Sequence, residues 1–239
     1  DSLEYIKRDP LYRSYHQGEL SFSFVYAFSE NYVLPISHDE VVHGKGSLFS
    51  RMPGDHAAKL ANMRAYLAYM WAHPGKQLLF MGQEFGQMAE WSESRGLDWW
   101  TLDQPTHRQL QDFVGAVNGT YRANPPLWSR DNDGSAFSRI GAPSWNPSVL
   151  AFTRRDWDGN IVAAVCNFSG STLSNYALNE NYGEGCYSEF RSFYEAMGSG
   201  QHDLTNSAMT MLTTGAAYPM IGGIAPPWQS TQPRTTPSL

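Results

Sequence analysis

The sequence predicts an α/β region followed by an all-β module, and three observations carry that expectation. A strand-like run, "NYVLPI" (31–36), is followed by a helical stretch and then by a second apolar run, "KQLLFMG" (76–82), which together make a β-α-β unit. A further helical stretch occupies about residues 105–122. From about residue 135 the helical period ends, and short strand-like runs alternate with turn signals.

The elements follow in order. "NYVLPI" is a short apolar run whose proline suits a strand end. In "GDHAAKLANMRAYLAYMWAHPG" (54–75), Asp55 is placed to cap a helix and Pro74-Gly75 to stop it. Leu60, Met63, Leu67, Met70 and Trp71 recur at helical spacing, which predicts one apolar face. "KQLLFMG" is uninterrupted and reads as a strand buried on both faces of a parallel sheet. The helix over 105–122 ends at Asn124-Pro125-Pro126. "SVLAFTRRD" (148–156) and "NIVAAVCNF" (160–168) read as strands, punctuated by "DWDGN" and "NFSGS". The last residues, "STQPRTTPSL", are polar and have nothing to bury, so disorder is expected there. The division expected is therefore 1–130, 131–228 and a tail at 229–239.

Composition narrows the function classes. The chain has 239 residues, 14% of them aromatic and 17% charged, which fits a folded protein with a real core. A net charge of −6 argues against nucleic acid, whose phosphates demand a basic face, and favours an uncharged substrate. The two cysteines, Cys166 and Cys186, are too few for a disulfide framework and lack zinc-site spacing. No apolar run is long enough to span a membrane and the opening lacks signal-peptide order, so a cytoplasmic protein without a membrane partner is expected. The start, which lacks Met and reads as the middle of a helix, predicts a piece of a longer protein.

In a β-α-β unit the two strands are parallel, so "SHDE" (37–40) and "GQE" (82–84) share one edge, where barrels of this kind build active sites. Asp39 and Glu84 then form an acid/base candidate pair. The commoner role of a carboxylate after a strand is to cap a turn or accept a loop hydrogen bond, and that reading stays open for Glu84. The density of titratable groups at His38-Asp39 favours a site. His43 and Lys45 are read as loop residues nearby. A zinc reading of "HDEVVH" fails, because His38 and His43 are five apart and would point about 140° away from each other on a helix. No G-x-S-x-G elbow occurs, and "GSG" (198–200) sits among turn residues. Trp91, Trp99 and Trp100 follow the second strand; Trp91 is the candidate for stacking on a sugar ring, with plain packing as the other reading.

"YIKRDPLYRSYHQGELSFSFVYAFSENYVLPISHDEVVHGKGSLFSRMPGD" and "RAYLAYMWAHPGKQLLFMGQEFGQ", continued by "EWSESRGLDWW", closely resemble the bacterial 1,4-α-glucan (glycogen) branching enzymes of the α-amylase clan. The resemblance covers about residues 1–125 almost without gaps and fades beyond about 170, where family phrases such as "LPPLG" are missing. Either the last domain has diverged or the reading frame departs from the family's near residue 180.

The resemblance implies a (β/α)8 barrel followed by a C-terminal β-sandwich, with "NYVLPIS" as the seventh barrel strand and "KQLLFMG" as the eighth. It also implies that His38 hydrogen-bonds the sugar at the cleavage point and that Asp39 stabilises the transition state by gripping hydroxyls of the distorting ring. Glu84 would support the loop behind them and Trp91 would contact substrate. The family's nucleophilic Asp and acid/base Glu belong to upstream strands, and no counterpart of their motifs occurs in the 239 residues, so an N-terminal remainder is the expected partner. The substrate implied is an α-1,4-glucan such as glycogen or amylose, with no metal and no cofactor. A non-catalytic glucan-binding fragment and a hydrolysing α-amylase relative are the alternatives.

Overall fold

The computed structural model describes residues 1–140, 148–168 and 209–215. The chain opens with two short helices, α1 (Ser2–Lys7) and α2 (Gly18–Ser21), the second running into a 3-10 turn at Phe22–Val25. Strand β1 (Val33–Ile36), helix α3 (Leu48–Arg51), helix α4 (His56–Ala72) and strand β2 (Lys76–Leu79) follow. β1 and β2 pair in parallel, from Val33 opposite Lys76 to Ile36 opposite Leu79, which is the β-α-β unit expected.

Local chemistry sets the limits of α4. The Asp55 carboxylate accepts the Ala58 amide at 2.8 Å and so satisfies one of the orphan donors of the first turn. At the other end His73 is extended, with ψ 142, as the residue before a proline must be. Gly75, at φ 120, then turns the chain into β2, and a side chain there would crowd Leu34 and the Tyr32 carbonyl. Helix α5 (Pro105–Ala123) begins with a proline at its first position and gives way to a 3-10 turn at Pro125–Leu127.

Two expectations are corrected. α4 does not have a single apolar face: every residue from Leu60 to Ala72 except Arg64 is buried. The cause is packing on several sides at once, against α3, α5 and two strands of the second sheet. Conversely, β2 is not buried on both faces. Val33, Pro35, Lys76 and Leu78 form one exposed face, Leu78 at 43%, while Leu34, Ile36 and Leu79 turn towards the core. Among the described residues this sheet has two strands and one covered face.

The second sheet is built from β3 (Phe137–Ile140), β4 (Val149–Arg155), β5 (Ile161–Asn167) and β6 (Met209–Gly215), in that spatial order. Its first three strands are antiparallel and β6 lies parallel to β5. Asp156 builds the β4–β5 turn by accepting the amides of Asp158 and Asn160 at 3.0 and 2.8 Å. The sheet docks on the first region through aromatic contacts, with Phe24 4.6 Å from Phe137 and 5.3 Å from Phe152 between ring centres. Cys166 is buried in this sheet; Cys186, "GSG" and the expected tail at 229–239 lie outside the described residues.

Candidate active site

Parallel pairing sends both strands to the same edge, and each ends in a 3-10 turn there. His38–Glu40 forms the turn after β1, and Gln83–Phe85 the turn after β2. Gly82 at φ 89 and Gly86 at φ 71 bracket the second turn in the left-handed region. A Cβ on Gly82 would lie 2.9 Å from Gln87 Oε1 and 3.1 Å from Gln87 Cβ, so glycine is required both by the backbone and by the space.

His38 and Asp39 extend outward from this edge. Their side chains are 59% and 71% exposed, with His38 Nε2 3.0 Å from Asp39 Oδ1. The His38 ring lies tilted near Phe80, 6.2 Å between centres. Glu84 occupies the same edge, yet neither an ion pair nor a hydrogen bond joins it to Asp39. Its Oε2 accepts the Gly82 amide at 2.8 Å, tying it to its own turn. Trp91 is half-buried and meets Phe80 edge-on at 5.3 Å and 78°. Trp99 and Trp100 are more than half exposed, with Trp99 tilted over Phe85 at 5.1 Å. They lie in a 3-10 turn, where successive side chains diverge by about 120° and neighbours both reach solvent.

Sequence reasoning missed the residues that hold the loop carrying His38 and Asp39. Arg51, its side chain only 7% exposed, donates to the Glu40 and Lys45 carbonyls, the latter at 3.0 Å. Lys45 Nζ donates to the Asp39 carbonyl at 2.6 Å. Ser47 Oγ donates to the Met88 carbonyl at 2.9 Å, and buried Gln83 accepts the Leu48 amide at 3.1 Å. Glu90 accepts the Gly44 and Gly46 amides at 2.8 and 2.9 Å, and these two bonds, Gly44's first, hold its carboxyl below the usual range. The glycine pattern of "HGKG" is the local signal for an amide-lined loop, but nothing local names Glu90, 44 to 46 positions away, as its partner.

Among the described residues no group of three or more His, Cys, Asp or Glu is placed to hold a metal ion, and no helix is long and apolar enough to cross a membrane. The site's chemistry is that of a histidine and a carboxylate side by side on a solvent-facing rim, suited to hydrogen-bonding the hydroxyls of a polar, uncharged ligand.

No family model matches the chain. It is 61% identical over 178 residues to the 1,4-alpha-glucan branching enzyme of Leifsonia xyli, a match covering 74% of this chain and 24% of that protein. The branching enzymes of Nocardia farcinica and Rhodococcus jostii are each 58% identical, over 178 and 182 residues, covering 74% of this chain and 24% and 25% of those proteins. The chain spans about a quarter of the length of these curated relatives. By sequence, then, the matched stretch belongs to the 1,4-alpha-glucan branching enzyme family.

Proposed function

We propose that the chain is part of a 1,4-α-glucan branching enzyme, which cleaves an α-1,4 bond and transfers the released chain to a 6-hydroxyl of glycogen or a similar glucan. The observation that carries this reading is the His38-Asp39 pair, exposed at the C-terminal end of a parallel strand, in a stretch 56–61% identical to branching enzymes. His38 hydrogen-bonds the sugar at the cleavage point. Asp39 holds its hydroxyls as the ring flattens and positive charge develops, an interaction that tightens towards the transition state. The retaining reaction also needs two carboxylates about 5 to 5.5 Å apart, one attacking the anomeric carbon and one protonating the leaving oxygen. Those come from an N-terminal remainder of the barrel, whose last two strands are β1 and β2; the second sheet belongs to a C-terminal β-sandwich. The enzyme works in the cytoplasm, where glycogen is made.

The test is to read the coding region upstream of Asp1, express the continuous frame, and follow amylose by iodine staining and reducing-end release. Branching lowers the iodine colour while reducing ends stay constant, and debranching then releases one new reducing end for each branch formed. A steady rise in reducing ends indicates a hydrolase instead, and a stop codon just upstream leaves the chain as a glucan-binding fragment.

A further inference from the structure

We propose that Glu90 is the positioning residue of the His38–Asp39 loop, acting through the amides of Gly44 and Gly46; the inference rests on the functional reading given above. The side chains of His38 and Asp39 contact each other and are largely exposed, with only the Phe80 ring near His38, so their aim depends chiefly on the backbone of the loop beneath them. That backbone is in an unusual conformation. His43, Gly44 and Gly46 have φ values of 57, 82 and 73, and His43 is the one non-glycine residue in the left-handed region among those described. The turn brings two amides to converge on one carboxylate, and Glu90 takes one with each oxygen. Glu90 is itself anchored. Its carbonyl accepts Arg95 Nη2 at 2.6 Å, and the next residue, Trp91, donates its amide to the Val41 carbonyl at 3.1 Å.

The loop after β2 therefore grips the loop after β1 at both ends of its left-handed segment, Val41 on one side and Gly46 on the other. A glutamine at position 90 has a single acceptor oxygen, and its NH2 would face one of the two amides, donor against donor. One clamp bond is lost, and the His43–Gly46 segment can relax towards ordinary φ, carrying Asp39 with it through the Lys45 bond to the Asp39 carbonyl.

The experiment uses the protein expressed from the whole frame, comparing Glu90→Gln, Asp39→Asn and the double variant, with Gly46→Ala as an independent lesion of the same clamp. A Cβ on Gly46 would meet Ser50 Oγ at 2.5 Å in a backbone already at φ 73. Glu90→Gln and Gly46→Ala are each expected to lower kcat about tenfold to a hundredfold with KM for glucan within about twofold. The double variant Glu90→Gln/Asp39→Asn should be no slower than Asp39→Asn alone, because both lesions act through one group. A melting temperature that falls while kcat holds would make Glu90 merely structural and overturn the inference, as would fully multiplicative losses in the double variant. If Asp39→Asn leaves activity intact, it is the functional reading that fails, whatever Glu90 does.

Discussion

The rim that carries His38 and Asp39 and the junction between α4 and the second sheet both depend on charged side chains, and they use them in opposite ways. At the junction Arg154, Asp131 and Arg13 are buried. Arg154, 1% exposed, donates to the Ala72 carbonyl at 3.1 Å, closing the C-terminus of α4, and to Asp131 at 2.6 Å. Asp131 takes Lys76 on its other oxygen. Arg13, wholly buried, spends its donors on Asn62 and on the carbonyls of Arg8, Phe168 and Ile6 at 2.7 to 3.0 Å, and desolvation lowers its pKa to about 10. At the rim His38 and Asp39 face water while the backbone beneath them is held by Arg51, whose side chain is largely buried, and by Lys45 and Glu90. A buried charge must be satisfied or the fold loses stability, whereas an exposed one is free to meet a ligand. The difference teaches that rim substitutions should cost turnover and junction substitutions should cost stability.

The sharpest attempt to break this contrast is Asp39→Asn in the whole protein. We expect kcat to fall about a thousandfold, roughly 4 kcal/mol, with KM and melting temperature little changed, measured by iodine-stain kinetics and calorimetry. A large loss of stability instead would place Asp39 with the junction residues. The converse variant is Arg154→Met, which keeps bulk but leaves Asp131 with Lys76 alone and the end of α4 uncapped. It should destabilise by about 3 kcal/mol in urea titration, and an unchanged midpoint would contradict the junction's assigned role.

A pH titration sharpens the same comparison. His73 is buried against Phe24, with Nε2 2.7 Å from Ser23 Oγ and Nδ1 2.7 Å from the Pro74 carbonyl, and burial lowers its pKa from 6.5 to about 4. The unfolded chain gains a proton as pH falls through 6.5 and the folded chain does not until about 4. Stability is therefore full above 6.5 and is lost on acidification, by about 2 kcal/mol between pH 6.5 and 5. His73→Phe should flatten this slope, leaving the smaller share of His107, whose pKa burial also lowers. A slope that persists unchanged would assign the acid sensitivity elsewhere. The smallest effect is expected for Glu84→Gln, less than about threefold in kcat, because the contact of Glu84 is with its own turn through Gly82. Loss of activity there, with Asp39→Asn active, would reverse the roles of the two carboxylates.

What the sequence determined is what neighbours along the chain decide. Asp55 caps α4 three residues on, Pro74 ends it, Pro105 opens α5, and Asp156 folds the β4–β5 turn, each through bonds or φ limits spanning a few residues. His38-Asp39 stood out as a candidate because a dense titratable run after a strand needs no distant partner to be noticed. Only the tertiary structure decided the rest. The all-round burial of α4 reflects sheet and helix packing that periodicity within α4 does not encode, and the open face of β2 reflects that no described element covers it, which an apolar run does not report. Arg154 meeting Ala72 and Glu90 meeting Gly44 and Gly46 join residues 82 and 44 to 46 positions apart. Such pairs depend on where whole elements pack, so the burial that makes one arginine structural, and the loop geometry that occupies one glutamate, belong to the fold and not to any stretch of sequence.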